Sequence, residues 1–70
     1  MKTKRMYIRG TRENCKDFTI YLMWKHSAAA EFGSVNDDGE TVTLNLIVDP
    51  DRTEDIERWS NEFNLKVMNW

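Results

Sequence analysis

Residues 41–48, Thr-Val-Thr-Leu-Asn-Leu-Ile-Val, constrain this chain more than any other stretch. Val42, Leu44, Leu46 and Val48 alternate with Thr41, Thr43, Asn45 and Ile47. A period of two belongs to a strand with one buried face. Directly before it stands Asn36-Asp37-Asp38-Gly39. Asn and Asp tolerate positive φ and Gly takes it freely, so these four residues mark a turn. Residues 31–35, Glu-Phe-Gly-Ser-Val, then pair with the strand as a hairpin.

The flanking segments read less uniformly. Residues 4–9 alternate Met6 and Ile8 against Arg5, Tyr7 and Arg9, which predicts a strand ended by Gly10. Residues 12–32 admit two readings. As a helix, Cys15, Phe18, Leu22 and Ala29 fall near one face with Tyr21 and Ala28 at its border. Thr11 is then the N-cap, Glu13 and Asp17 sit near the positive end of the dipole, and the run Ser27–Ala30 has good helix propensity. As a strand, Phe18, Ile20, Leu22 and Trp24 alternate with Thr19, Tyr21, Met23 and Lys25, and an Ala-rich turn follows. The helix is the favoured reading.

Pro50 cannot donate to a ladder and stops the strand at Val48. Ile56, Trp59 and Phe63 recur at i, i+3 and i+7, which predicts a second helix over 53–63. Thr53 would cap it by accepting from the Ile56 N–H, with Glu54, Asp55 and Glu57 near the positive end and Arg58 paired with Glu54. The helix ends near Asn64, and residues 65–69 form a last strand with Leu65 and Val67 inward. The order is βαββαβ. It predicts one α+β domain over residues 1–70, a ferredoxin-like four-stranded antiparallel sheet with two helices on one face. The alternative replaces the first helix by an N-terminal hairpin and leaves a single helix at 53–63.

Seventy residues bury only about 60% of their unfolded surface, so the core needs support. Cys15 is the single cysteine, which excludes a disulfide and reads as a small buried apolar side chain. An aromatic core or a partner subunit, including a homodimer formed through edge strands, is the remaining support. The most apolar window, 18–24, falls far short of the about 20 residues that span a bilayer. No apolar run follows the charged start at Lys2, Lys4 and Arg5. The expected compartment is the cytoplasm.

The five acids of residues 49–57, Asp49, Asp51, Glu54, Asp55 and Glu57, invite a metal reading, which fails as a calcium loop. The sixth position is Glu54 where Gly is needed, and the twelfth is Ser60 where Glu is needed. Cys15 and His26 are too few for zinc. On one helix they are also eleven residues, about 16 Å, apart, too far for a catalytic dyad. Gly10, Gly33 and Gly39 are too scattered to cradle a phosphate. The sequence therefore predicts a non-enzymatic protein without cofactor or metal.

Charge layout points toward binding. Residues 1–35 carry seven bases and three acids; residues 36–70 carry three bases and nine acids. An acidic patch of Asp37, Asp38, Glu40, Asp49, Asp51, Glu54 and Asp55 would suit a basic surface on a larger protein or nucleoprotein partner. Trp70 is a candidate anchor for it. The competing surface is basic: Lys4, Arg5, Arg9 and Arg12 surround Tyr7, which could stack a nucleic-acid base from the open face of a sheet. The third strand lacks the aromatic and basic residues of the RNA-recognition consensus. As a type, small, acid-patched and cofactor-free, the chain resembles the inhibitors phages make against host machinery, anti-CRISPR proteins among them. That likeness implies occlusion of a nucleic-acid-processing complex, with RNA or DNA binding through the first strand as the alternative.

Overall fold

The computed structural model describes residues 3–68. The elements run β1 (Lys4–Thr11), α1 (Arg12–His26), β2 (Ala30–Val35), β3 (Thr41–Val48), a 3-10 turn at Pro50–Arg52, α2 (Thr53–Glu62) and β4 (Lys66–Val67). The class is α+β, with a four-stranded antiparallel sheet in the order β2-β3-β1-β4 and two helices.

The β1–β3 ladder organises the rest. It runs without a break from Lys4 opposite Val48 to Thr11 opposite Thr41. Successive residues of a strand face opposite sides, so Met6 and Ile8 share one face with Leu44 and Leu46, and all four are buried. β1 continues through Gly10, where the sequence reading ended it. Gly10 pairs with Val42, and a Cβ there would run into the Leu65 side chain. Its bareness serves packing rather than termination.

Residues 12–26 are helical, which overturns the alternative with an N-terminal hairpin and one helix. Cys15, Phe18 and Leu22 are fully buried, while Trp24, which a strand would place beside Leu22, is 81% exposed. Burial at a spacing near 3.6 decides between the two periods. The Thr11 hydroxyl accepts from the Asn14 N–H at 3.2 Å and starts the helix as expected. The helix stops earlier than the Ala run suggested. Ser27 takes the left-handed conformation at φ 51, the Ala28 N–H donates to the Leu22 carbonyl at 3.1 Å, and Ala30 pairs with Leu46 in β2. Ala29 is exposed in the connection rather than on a buried helix face. Helix propensity amounts to less than about 1 kcal/mol per residue, so a strand partner overrides it.

α2 differs from expectation at its start. Thr53 is its first residue, and its hydroxyl donates to the Pro50 carbonyl at 3.0 Å instead of capping Ile56. The preceding 3-10 turn leads the chain into the helix, so no side-chain cap forms. Arg58 pairs with Asp55 at 2.6 Å, one turn position nearer than Glu54. After α2, Asn64 turns at φ 58 and the Leu65 N–H returns to the Ser60 carbonyl. β4 is two residues long where five were expected; Leu65 is buried ahead of it, and residue 69 lies outside the described residues. Phe18, Tyr21 and Phe63 join the two helices, with Phe63 at 5.3 Å from each of the other two ring centroids. Ile56 and Leu65 complete the cluster over the inner face of β1 and β3. Among the described residues no helix is long and apolar enough to cross a membrane.

Two substitutions test this packing. Phe18→Ala is expected to cost about 3–5 kcal/mol, a large share of the roughly 4–10 kcal/mol available to a chain of this length, so urea unfolding should lose most of its native baseline. Gly33→Ala, on β2, would bring a Cβ to 2.7 Å from the Thr43 carbonyl oxygen. Backbone cannot easily yield, and the unfolding midpoint should fall by the equivalent of about 1–3 kcal/mol.

Candidate functional site

The outer face of the sheet is set by the same parity that fills the core. Arg5, Tyr7 and Arg9 alternate with Met6 and Ile8, so they lie on the side away from the helices. Across β3 they oppose Ile47, Asn45 and Thr43 in turn, and Lys66 of β4 lies beside Arg9. Tyr7 sits in the middle, half-buried by its neighbours, while Arg5, Ile47 and Lys66 are exposed. Glu31 of β2 pairs with Asn45 and is the acid within the strands of this face.

Arg9 is held in place. Its Nε donates to the Thr41 hydroxyl at 3.1 Å and its Nη2 to Asp38 Oδ2 at 2.8 Å. The same Asp38 accepts from the Glu40 and Thr41 N–H groups, each at 2.9 Å, and from the Thr41 hydroxyl at 2.7 Å. The backbone N–H of Thr41, then that of Glu40, then the Thr41 hydroxyl and Arg9 hold the Asp38 carboxyl well below the usual carboxylate range. Asp38 therefore builds the β2–β3 turn, and its charge is answered within the molecule. Asn36 joins this network through Thr41 and Thr43.

The structure does not gather the seven predicted acids into one patch. Asp37, Asp38 and Glu40 lie at the turn that opens β3, whereas Asp49, Asp51, Glu54 and Asp55 lie beyond its other end. Seven residue steps at about 3.3 Å put the two ends of the strand roughly 23 Å apart. In the second group Asp55 is engaged by Arg58, and Asp49, Asp51 and Glu54 are exposed. The basic set is divided too. Arg5, Tyr7 and Arg9 stay together, but Lys4 shares its register with Val48 on the other side of the sheet, and Arg12 is the exposed first residue of α1. Trp70 lies outside the described residues.

Other groups with chemical potential are accounted for by packing. Cys15 is buried, its Sγ 3.9 Å from the Val42 carbonyl. Burial pushes the thiol up, against a smaller opposing effect from the Gly10 backbone, so it stays protonated at neutral pH. His26 stacks on Trp59 with centroids 3.8 Å apart and shares a hydrogen bond with the Tyr21 hydroxyl at 3.2 Å. His26 and Trp59 border a cleft of about 640 Å³ at the end of the sheet, lined also by Arg5, Leu22, Arg52 and Ile56. No three His, Cys, Asp or Glu side chains among the described residues are grouped to hold a metal.

Sequence reasoning missed Asn45 and Lys66 as companions of Tyr7, because cross-strand register alone brings them together. It also passed over Ile20, Met23 and Trp24, which are exposed on α1; their i, i+3, i+4 spacing was the available signal. Comparison with protein-family models, with curated proteins and with solved structures finds no match.

The Asp38 network yields a pH prediction. A carboxyl whose folded pKa is lowered contributes stability above its ordinary pKa of about 3.9 and loses it as pH falls through the folded value. Asp38→Asn should therefore lower the thermal midpoint at pH 7. The gap from wild type should shrink steadily as acid titrates the wild-type carboxylate, as differential scanning calorimetry across the acid range would record.

Proposed function

We propose that this protein is a non-enzymatic binding module with a ferredoxin-like arrangement, and that the open face of its sheet receives single-stranded nucleic acid. The observation that supports this reading is the row Arg5, Tyr7 and Arg9 on a central strand, on the face that neither helix covers, with Asn45 opposite Tyr7 and Lys66 beside Arg9. An aromatic ring on such a face offers a base a stacking surface worth about 1–3 kcal/mol, whatever its sequence. Arg5 and Lys66 supply charge for phosphates on either side. Asn45 adds an amide that can hydrogen-bond a base edge. Arg9, fixed by Asp38 and Thr41, is pre-oriented at the cost of part of its charge.

A second reading retains the acids at the β3–α2 corner as a docking surface for a basic protein, the mode of a phage-type inhibitor that occludes a nucleic-acid-processing complex. It is favoured by the exposure of Asp49, Asp51 and Glu54 within six residues. It stands second because the acids split between the two ends of β3 halve the charge that any one partner surface meets.

Fluorescence anisotropy with labelled single-stranded RNA and DNA separates the two. On the nucleic-acid reading, affinity falls steeply as salt rises. Tyr7→Ala weakens binding by about 5- to 150-fold, and Arg5→Ala flattens the salt dependence. Affinity unchanged in Tyr7→Ala removes the open face from consideration. Capture of a protein partner that survives nuclease treatment and is lost on reversing Asp49, Asp51 and Glu54 to Lys would establish the second reading instead.

A further inference from the structure

A helix on a small domain normally carries one apolar stripe. α1 carries two. Cys15, Phe18 and Leu22 are buried against the sheet, and Ile20, Met23 and Trp24 lie open to water at 43%, 57% and 81% exposure. The outer three are neighbours on the helix surface, at i, i+3 and i+4. β2 extends the same surface. Phe32 and Val35 share the register of Leu44 and Val42 and so stand on the helix side of the sheet, yet they are 47% and 51% exposed.

Helix geometry joins the two groups. Tyr21 meets Trp59 and Phe63 of the α2 side. Met23 lies roughly 200° further round the helix, on the flank away from α2. α2 packs beside β4 at one edge of the sheet, and β2 is the other edge. Met23 therefore overhangs the side of the sheet that carries Phe32 and Val35, and Ile20 and Trp24 continue the surface over the helix.

We propose that this surface is the interface of a homodimer, occupied by a second copy of the chain across a two-fold axis. The argument is area. With aromatic side chains of about 150–250 Å² each, Trp24 and Phe32 at these exposures leave on the order of 250 Å² uncovered. Ile20, Met23 and Val35 bring the patch to on the order of 500 Å². Two copies burying it reach about 1,000 Å², the lower limit for a specific interface and below the about 1,200–2,000 Å² of stable ones, which makes this a weak, concentration-dependent dimer. An isologous contact requires a self-complementary patch, and the apolar side chains of this one can meet their own copies; Glu31, the one charge on β2, lies on the other face of the sheet, while the exposed Lys16 and Asp17, one turn before Ile20 on α1, border the patch. The register shift between Phe32 and Val35 interrupts the strand edge, so side chains rather than a continued ladder carry the contact. A second copy would add buried apolar area to a chain whose size keeps its own core small.

Sedimentation equilibrium from low to high micromolar protein tests the proposal, on wild type, Trp24→Lys and Met23→Lys. Wild type should associate to a dimer. Each substitution should raise the dissociation constant about 30-fold or more, the weight of a central hot spot. The far-UV circular dichroism should be unchanged, because neither side chain belongs to the core. A wild-type chain that stays monomeric at every concentration overturns the proposal. So does a dimer indifferent to both substitutions, or a monomer whose Trp24 surface is taken by a foreign protein.

Discussion

The eight-residue antiparallel pairing of β1 with β3 is the interaction on which the rest of this molecule depends. Once those strands are in register, the parity of every residue in them is decided, and a slip of one position would exchange the two faces. Met6, Ile8, Leu44 and Leu46 go to one side and fill the core; Arg5, Tyr7, Arg9 and Asn45 go to the other. Core and candidate binding face are thus two products of one ladder. The turn at Asn36–Glu40 strengthens the register, because Asp38 both closes the turn and holds Arg9 of β1.

Coverage is the second constraint. Among the described residues, two helices of 15 and 10 residues pack on the four strands, and both contribute to one shared core. Phe18 stands at their meeting point with the sheet, in ring contact with Tyr21 and Phe63. The opposite face stays uncovered by either helix, and at the β2 edge Phe32 and Val35 remain half open. A fold with so little covering material exposes working surface by construction. Its outer sheet face is polar and basic; its β2 edge and the outside of α1 are apolar. Two chemically different surfaces on opposite sides of one sheet leave room for two kinds of contact at once.

Much of the fold was legible from periodicity. The strand at 41–48, the turn at 36–39, the cap at Thr11 and the burial of Cys15, Phe18 and Leu22 follow from local pattern and local hydrogen bonding. The less legible places are those where a distant group intervenes. Gly10 reads as a strand end, yet it lies inside β1 because Leu65, fifty-five positions on, needs the space. The Ala run reads as helix, yet Ala30 joins a strand because Leu46 offers it a partner. Thr53 reads as a cap, yet a 3-10 turn puts it inside the helix.

The candidate sites divide in the same way. The sequence by itself determined that acids and bases are segregated along the chain, that Arg5, Tyr7 and Arg9 share a face, and that Cys15 and His26 on one helix are too far apart to act together. Those are properties of spacing, and spacing is local. Tertiary structure alone decided that Asn45 and Lys66 flank the Tyr7 row, and that Phe32 and Val35 at the β2 edge remain half open on the helix side of the sheet. Each of these depends on which strands become neighbours. That choice is made by burying apolar area between residues far apart in sequence, for which no short stretch carries a code.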